Sequence, residues 1–174
     1  MKVPPNRGKL KSSMKETGGE KRPLDYALRV LSRRRVSTGR MKELLARKGF
    51  TEQQSDECIA KLTEWRYLDD QGYARDVLQG VSASCPIGKR RALYELRKRM
   101  VDSELAQAVT AESYEGVSEE SLAREAVRKY LNGKQEAPLH DKERDRLVRW
   151  LCRRGFGYES IYSALRDLGQ GDPE

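Results

Sequence analysis

One basic helical pattern occurs three times in this 174-residue chain, at residues 41–50, 92–101 and 147–156. In each copy an apolar residue stands four positions before a leucine: Met41/Leu45, Ala92/Leu96 and Leu147/Leu151. A basic pair follows (Arg47-Lys48, Lys98-Arg99, Arg153-Arg154), and an apolar residue closes the copy at Phe50, Val101 or Phe156. A spacing of four puts the apolar pair on one helix face, and the basic pair falls in the last turn, near the negative end of the helix dipole. Repetition of this kind points to one supersecondary unit used three times, each unit stabilised by its neighbours.

The composition fits small units with thin cores. Hydrophobic residues are 37% of the chain and aromatics 7%, while charged residues reach 36%, against a typical ~25%. The net charge is +8, which favours anionic partners without choosing among nucleic acid, acidic protein and anionic lipid. That excess is uneven: it is confined to the first two thirds, and residues 113–174 are close to neutral. Cys58, Cys85 and Cys152 are an odd set with no CxxC pair, so they are expected to be reduced packing residues of a cytoplasmic protein. No apolar run reaches transmembrane length, and the basic N-terminus lacks the apolar core of a signal peptide.

Residues 1–22 combine Pro4, Pro5, Gly8, Gly18 and Gly19 with many lysines and read as a disordered basic arm. From Leu24 onward the periodicity is helical, and no useful strand alternation occurs. Leu24, Ala27, Leu28 and Leu31 share one face. Ser37-Thr38-Gly39 breaks this helix and offers N-caps for the next, which should stop at Gly49. Thr51 and Gln54 form a capping box for a helix expected to carry Cys58, Ile59, Leu62 and Trp65 into the core. The predicted architecture is all-α, with tandem three-helix repeats in an elongated, curved array. Its units are residues 23–70, 71–115 and 116–169, followed by a frayed tail at 170–174.

Among candidate functional residues, the helix near Lys89–Met100 stands out. Leu93, Leu96 and Met100 are spaced as a buried stripe, and Lys89, Arg90, Arg91, Tyr94, Arg97 and Lys98 supply a basic face with one aromatic. Such a face can neutralise phosphates or pair with carboxylates. Arg33, Arg34, Arg35 and Arg40 flank the Ser37–Gly39 turn and form a second cluster. Arg153-Arg154 has Asp141, Glu143, Asp145 and Glu159 near it in sequence and reads as a local structural pair. Trp65, Tyr67, Trp150 and Tyr162 occupy helical positions that suit core packing. Catalysis finds no support: His140 is the only histidine, no Cys/His set has metal-ligand spacing, and Gly88-Lys89 lacks a P-loop frame. No cofactor or metal is expected.

The chain also resembles a known family. Ala27–Arg34, Glu43-Leu44 through Lys48-Gly49-Phe50, Leu68–Ala74, Gly88–Arg91 and Arg153–Phe156 occur in an order similar to the RecX family of RecA regulators, over residues 24–168. The resemblance implies tandem three-helix repeats. It implies binding in the groove of the RecA–DNA filament, with restraint of ATP hydrolysis, strand exchange and filament growth. It also implies binding to single- and double-stranded DNA by a cytoplasmic, non-enzymatic protein, expected to be a monomer. The family's basic stretches match Arg33, Arg34, Arg40, Lys89, Arg90 and Arg91. This chain departs from the repeated pattern at Arg99-Met100, where the other copies carry Lys48-Gly49 and Arg154-Gly155, so its middle basic helix is expected to run on. The third unit also holds a long loop, Asn132–His140. Two rival readings are a DNA-binding module acting without RecA and a protein scaffold with no nucleic-acid role.

Overall fold

The computed structural model describes residues 22–132 and 140–166. The expected arm apart from Arg22, the Asn132–His140 loop between its two ends, and the tail lie outside that range. Among the described residues the regular structure is entirely helical. The elements are α1 (Pro23–Leu31), α2 (Thr38–Arg47), α3 (Glu52–Glu64), α4 (Asp70–Ser82), α5 (Lys89–Lys98), α6 (Ser103–Ser113), α7 (Glu119–Leu131), α8 (Asp141–Arg153) and α9 (Tyr158–Arg166). The all-α expectation holds.

Local chemistry sets most of the helix starts. The Ser37 hydroxyl accepts from the Arg40 N–H, and Thr51 and Gln54 form both halves of a capping box. Asp69 accepts from the Gly72 N–H, and Asp102 from the N–H groups of Glu104 and Leu105. Each of these satisfies donors that the first turn of a helix leaves unpaired.

The middle helices α2, α5 and α8 end by one motif. In α2 the Phe50 N–H donates to the Leu45 carbonyl and the Gly49 N–H to Ala46. In α5 the donors are Val101 to Leu96 and Met100 to Arg97, and in α8 they are Phe156 to Leu151 and Gly155 to Cys152. This pair of bonds requires a left-handed residue at the turn. Gly49 and Gly155 supply it at φ 94° and 86°, and Met100 adopts it at φ 58°. The expectation that α5 runs on past Arg99 is therefore corrected: the bonding pattern closes the helix even where a side chain makes the conformation unfavourable. The same turn carries Met100 out of the expected buried stripe, and it is 39% exposed.

Substantial helix packing occurs only within the triplets α1–α3, α4–α6 and α7–α9. Each triplet has its own core. The first holds Ala27, Met41, Leu45 and Leu62, the second Ala74, Ala92, Leu96 and Val109, and the third Ala126, Leu147, Leu151, Phe156 and Ile161. One residue crosses over. Cys85, in the loop after α4, is buried in the third core, where burial pushes its thiol pKa up.

Alanine at the helix contacts draws the helices close, with Ala27, Ala74, Ala92, Ala106, Ala123 and Ala126 wholly buried. Trp65, Tyr67 and Tyr162, expected in the cores, are about half exposed, while Trp150 is half-buried against Tyr130 with ring centroids 4.9 Å apart.

Two substitutions test this account in opposite directions. Met100→Gly should raise stability by about 0.5–1 kcal/mol, because it removes left-handed strain at an exposed position. Gly88→Ala should cost about 2–4 kcal/mol, since its Cβ would strike the Gly155 backbone. Urea unfolding midpoints of the two variants read both signs.

Candidate binding surface

Helices α2, α5 and α8 meet end to end, and the two joints use different chemistry. At the joint between α2 and α5, the Ser37 hydroxyl donates to the Arg99 carbonyl at 2.6 Å. A Cβ on Gly39 would strike the Met100 carbonyl there. Beside it, Thr38 donates from its N–H and its hydroxyl to the two carboxylate oxygens of Asp70, at 2.8 and 2.6 Å. At the joint between α5 and α8, the Gly88 N–H donates directly to the Arg154 carbonyl at 2.9 Å. A Cβ on Gly155 would strike the Arg91 backbone. In both joints the carbonyl end of one helix faces the N–H end of the next, so the helix dipoles lie head to tail.

This frame separates the ten predicted site residues into two groups. Arg35 pairs with Asp76, Arg40 with Glu43, and Arg91 with Glu95. These three carry structural pairings. Arg33, Arg34, Lys89, Arg90, Arg97 and Lys98 are exposed and have no ion pair among the described residues. Tyr94 is 53% exposed, with the Arg91 guanidinium 5.2 Å from its ring centre. Arg33 and Arg34 lie in the turn after α1 and, with Tyr26 and Arg29, line a shallow basic cleft.

Within α5 the basic residues are not equivalent. Arg97 and Lys98 sit in the last turn, where cations complement the dipole. Lys89 and Arg90 sit in the first turn, where cations oppose it. Helix stability therefore does not account for Lys89 and Arg90.

Glu95 is the one acidic residue of α5. In the structure it is buried, with Arg91 one turn before it and Arg99 one turn after. Burial pushes its carboxyl pKa up, but the hydrogen bond from Arg99 and the charges of Arg91, Arg99 and Lys98 outweigh this and hold it below the ordinary value. A residue of each joint thus ends on one carboxylate: the Arg99 carbonyl meets Ser37, and the Arg91 backbone meets Gly155. Register offers the signal that sequence reading missed. Counting from the shared leucine, Glu95 stands where the other copies have Leu44 and Trp150.

Among the described residues, no group of three His, Cys, Asp or Glu side chains could hold a metal ion. No helix there is long and apolar enough to cross a membrane.

The fold and surface define a tandem three-helix-repeat protein with a basic central helix. The family model for RecX, third three-helix domain, matches residues 118–165. The chain is 30% identical over 141 residues to the regulatory protein RecX of Caldanaerobacter subterraneus subsp. tengcongensis, spanning 81% of this chain and 68% of that protein. It is 32% identical to the regulatory protein RecX of Stenotrophomonas maltophilia strain R551-3, spanning 84% and 87%. A crystal structure of RecX from Lactobacillus salivarius shares the fold, with a TM-score of 0.67 at 18% identity over 85% of this chain and 95% of that one. The chain belongs to the RecX family of regulatory proteins.

Glu95→Gln tests the buried ion cluster. The Glu95 pKa is depressed on folding, so its contribution is full above the unfolded value near 4.5 and is lost as pH falls through the folded value. At pH 7 the variant should be about 1–2 kcal/mol less stable. The gap should narrow as pH falls below 4.5 and close once the folded carboxyl is protonated, as read by denaturant unfolding across pH.

Proposed function

We propose that this chain binds the filament that a RecA recombinase forms on DNA and restrains its ATP hydrolysis, strand exchange and growth. The observation that carries this reading is the first turn of α5, where Lys89 and Arg90 are exposed, unpaired and set against their own helix dipole. Arg97 and Lys98 continue the positive surface at the other end of the helix, and Arg33 and Arg34 add to it from the first triplet. Family membership supports this choice of partner: the relatives are named regulatory proteins RecX. An array of units joined end to end suits a groove that runs across several filament subunits. A ligand that spans such a groove favours one filament state and opposes the subunit motions that hydrolysis and strand exchange require. In this reading the protein works as a cytoplasmic monomer without catalysis of its own, and its cations meet acidic filament surface or exposed phosphate.

The competing reading is a DNA-binding module that acts without the recombinase. The exposed basic surface also suits that role, and its mark is steep salt dependence on bare DNA.

The deciding experiment is the single-stranded-DNA-dependent ATPase of the cognate recombinase, titrated with this protein while DNA is in excess. Inhibition is expected well below stoichiometric protein. The variant carrying Lys89→Glu and Arg90→Glu should lose potency by about tenfold or more, as expected for the loss of charge-assisted contacts. Its unfolding midpoint should not fall, because neither side chain has an ion pair among the described residues and acidic side chains in a first turn favour the helix dipole. Arg91 is left intact in this variant because it braces Glu95. Absence of inhibition alongside tight, salt-sensitive binding to bare DNA supports the competing reading.

A further inference from the structure

A cleft of about 440 Å³ opens where the second and third triplets meet, lined by Val81, Ile87, Arg91, Glu95, Trp150, Arg153 and Arg154. It lies beside the Gly88–Arg154 joint. Two of its residues, Glu95 and Trp150, occupy the same register position in successive copies of the repeat, where the first copy has Leu44.

The charges in the cleft are unbalanced. Arg91, Arg153 and Arg154 face a single carboxylate, Glu95, and Glu95 is already held by Arg91 and Arg99. Arg153 is exposed with no ion pair among the described residues. The Nε–H of Arg154 is buried and has no acceptor among the described residues, a donor of the kind that folded proteins seldom leave unmet. The remaining wall, Val81, Ile87 and Trp150, is apolar.

We infer that this cleft binds an acidic–apolar segment of a partner protein, taking a carboxylate on Arg153 and Arg154 and a neighbouring apolar side chain against Val81 and Ile87. Charge complementarity selects the carboxylate, and arginine can receive it in bidentate geometry. A nucleic-acid strand fits less well. Base stacking needs a vacant ring face, yet Trp150, the one aromatic of the cleft, already meets Tyr130 at 4.9 Å and the Arg154 guanidinium at 4.7 Å. The assignment deepens the proposed function by naming a protein-contact subsite. It rests on that reading only for which protein supplies the segment.

The chain has two tryptophans, and Trp65 is 48% exposed on the first triplet. In a full-length Trp65→Phe background, Trp150 alone reports on the cleft. The probes are a blocked tetrapeptide with leucines flanking an aspartate and a glutamate, the same peptide with asparagine and glutamine, and a short oligothymidylate. A saturable change in Trp150 emission is expected with the acidic peptide. The amide peptide should bind about tenfold more weakly or worse, on the scale of one lost charge-assisted contact. Arg153→Gln and Arg154→Gln should each weaken the acidic peptide to a similar degree. The second variant keeps the backbone carbonyl that joins the triplets, and the exposed Arg153 gives an independent test should it fold poorly. No saturable response to the acidic peptide, or an equal response to the amide peptide, overturns the assignment. So does a saturable oligothymidylate signal that Arg153→Gln abolishes, which makes the cleft a nucleic-acid subsite. Peptide binding without inhibition of the recombinase ATPase keeps the cleft and removes the filament; inhibition without peptide binding does the reverse.

Discussion

The backbone contact between Gly88 and Arg154 governs the geometry of the second and third triplets. It is a hydrogen bond between main-chain atoms of two helix ends, and it forms only because Gly88 and Gly155 leave the two backbones free to approach. Side chains at either position would separate α5 from α8. The α2–α5 joint is built differently, through the Ser37 hydroxyl and the Thr38–Asp70 pair. A main-chain joint has no rotatable group to absorb movement, whereas a side-chain joint has several. Aligned dipoles favour both, since each buried helix end supplies the partner that the other lacks.

From these joints follows the division of labour among the arginines and lysines. A basic residue that braces the frame cannot also be the one that gives most to an external anion without loosening the frame. Arg35, Arg40, Arg91 and Arg99 brace it against Asp76, Glu43 and Glu95. Lys89, Arg90, Arg97 and Lys98 are left exposed on the helix that both joints hold in place. Cations on so constrained an element would lose little freedom on meeting an anionic partner.

Much of this was legible in the sequence because it depends on local chemistry. The recurrence of the Leu45, Leu96 and Leu151 copies marked the middle helices, and Ser37, Thr51 and Asp102 marked helix starts through capping, a signal carried within four residues. The errors concern residues whose state depends on distant neighbours. Trp65, Tyr67 and Tyr162 have helical spacing that suits a core, yet each is about half exposed, because spacing along one helix does not say how far its neighbours cover a ring. Met100 lacks the glycine that normally marks a left-handed turn, yet the bonds from Met100 and Val101 impose that turn. Among the site residues, sequence located the clusters, but the carboxylate that holds Arg35 lies 41 positions away and was hidden, whereas those that hold Arg40 and Arg91 lie within one helical turn and were overlooked. The cleft of Arg153, Arg154 and Glu95 was hidden because it exists only once two triplets meet.

The placement of Cys85 bears on how the chain is made. It belongs by sequence to the loop between α4 and α5, yet its side chain is buried among residues of α7, α8 and α9. During synthesis that loop leaves the ribosome long before Leu147, Leu151 and Phe156 exist to receive it, and domains generally begin to fold from the N-terminus. The first triplet has its full complement of core residues as soon as Leu68 has emerged. The second completes its own core with Val109, but its loop keeps an apolar thiol uncovered until the third triplet has emerged. Burial of Cys85 is thus the last packing step that the order of synthesis allows.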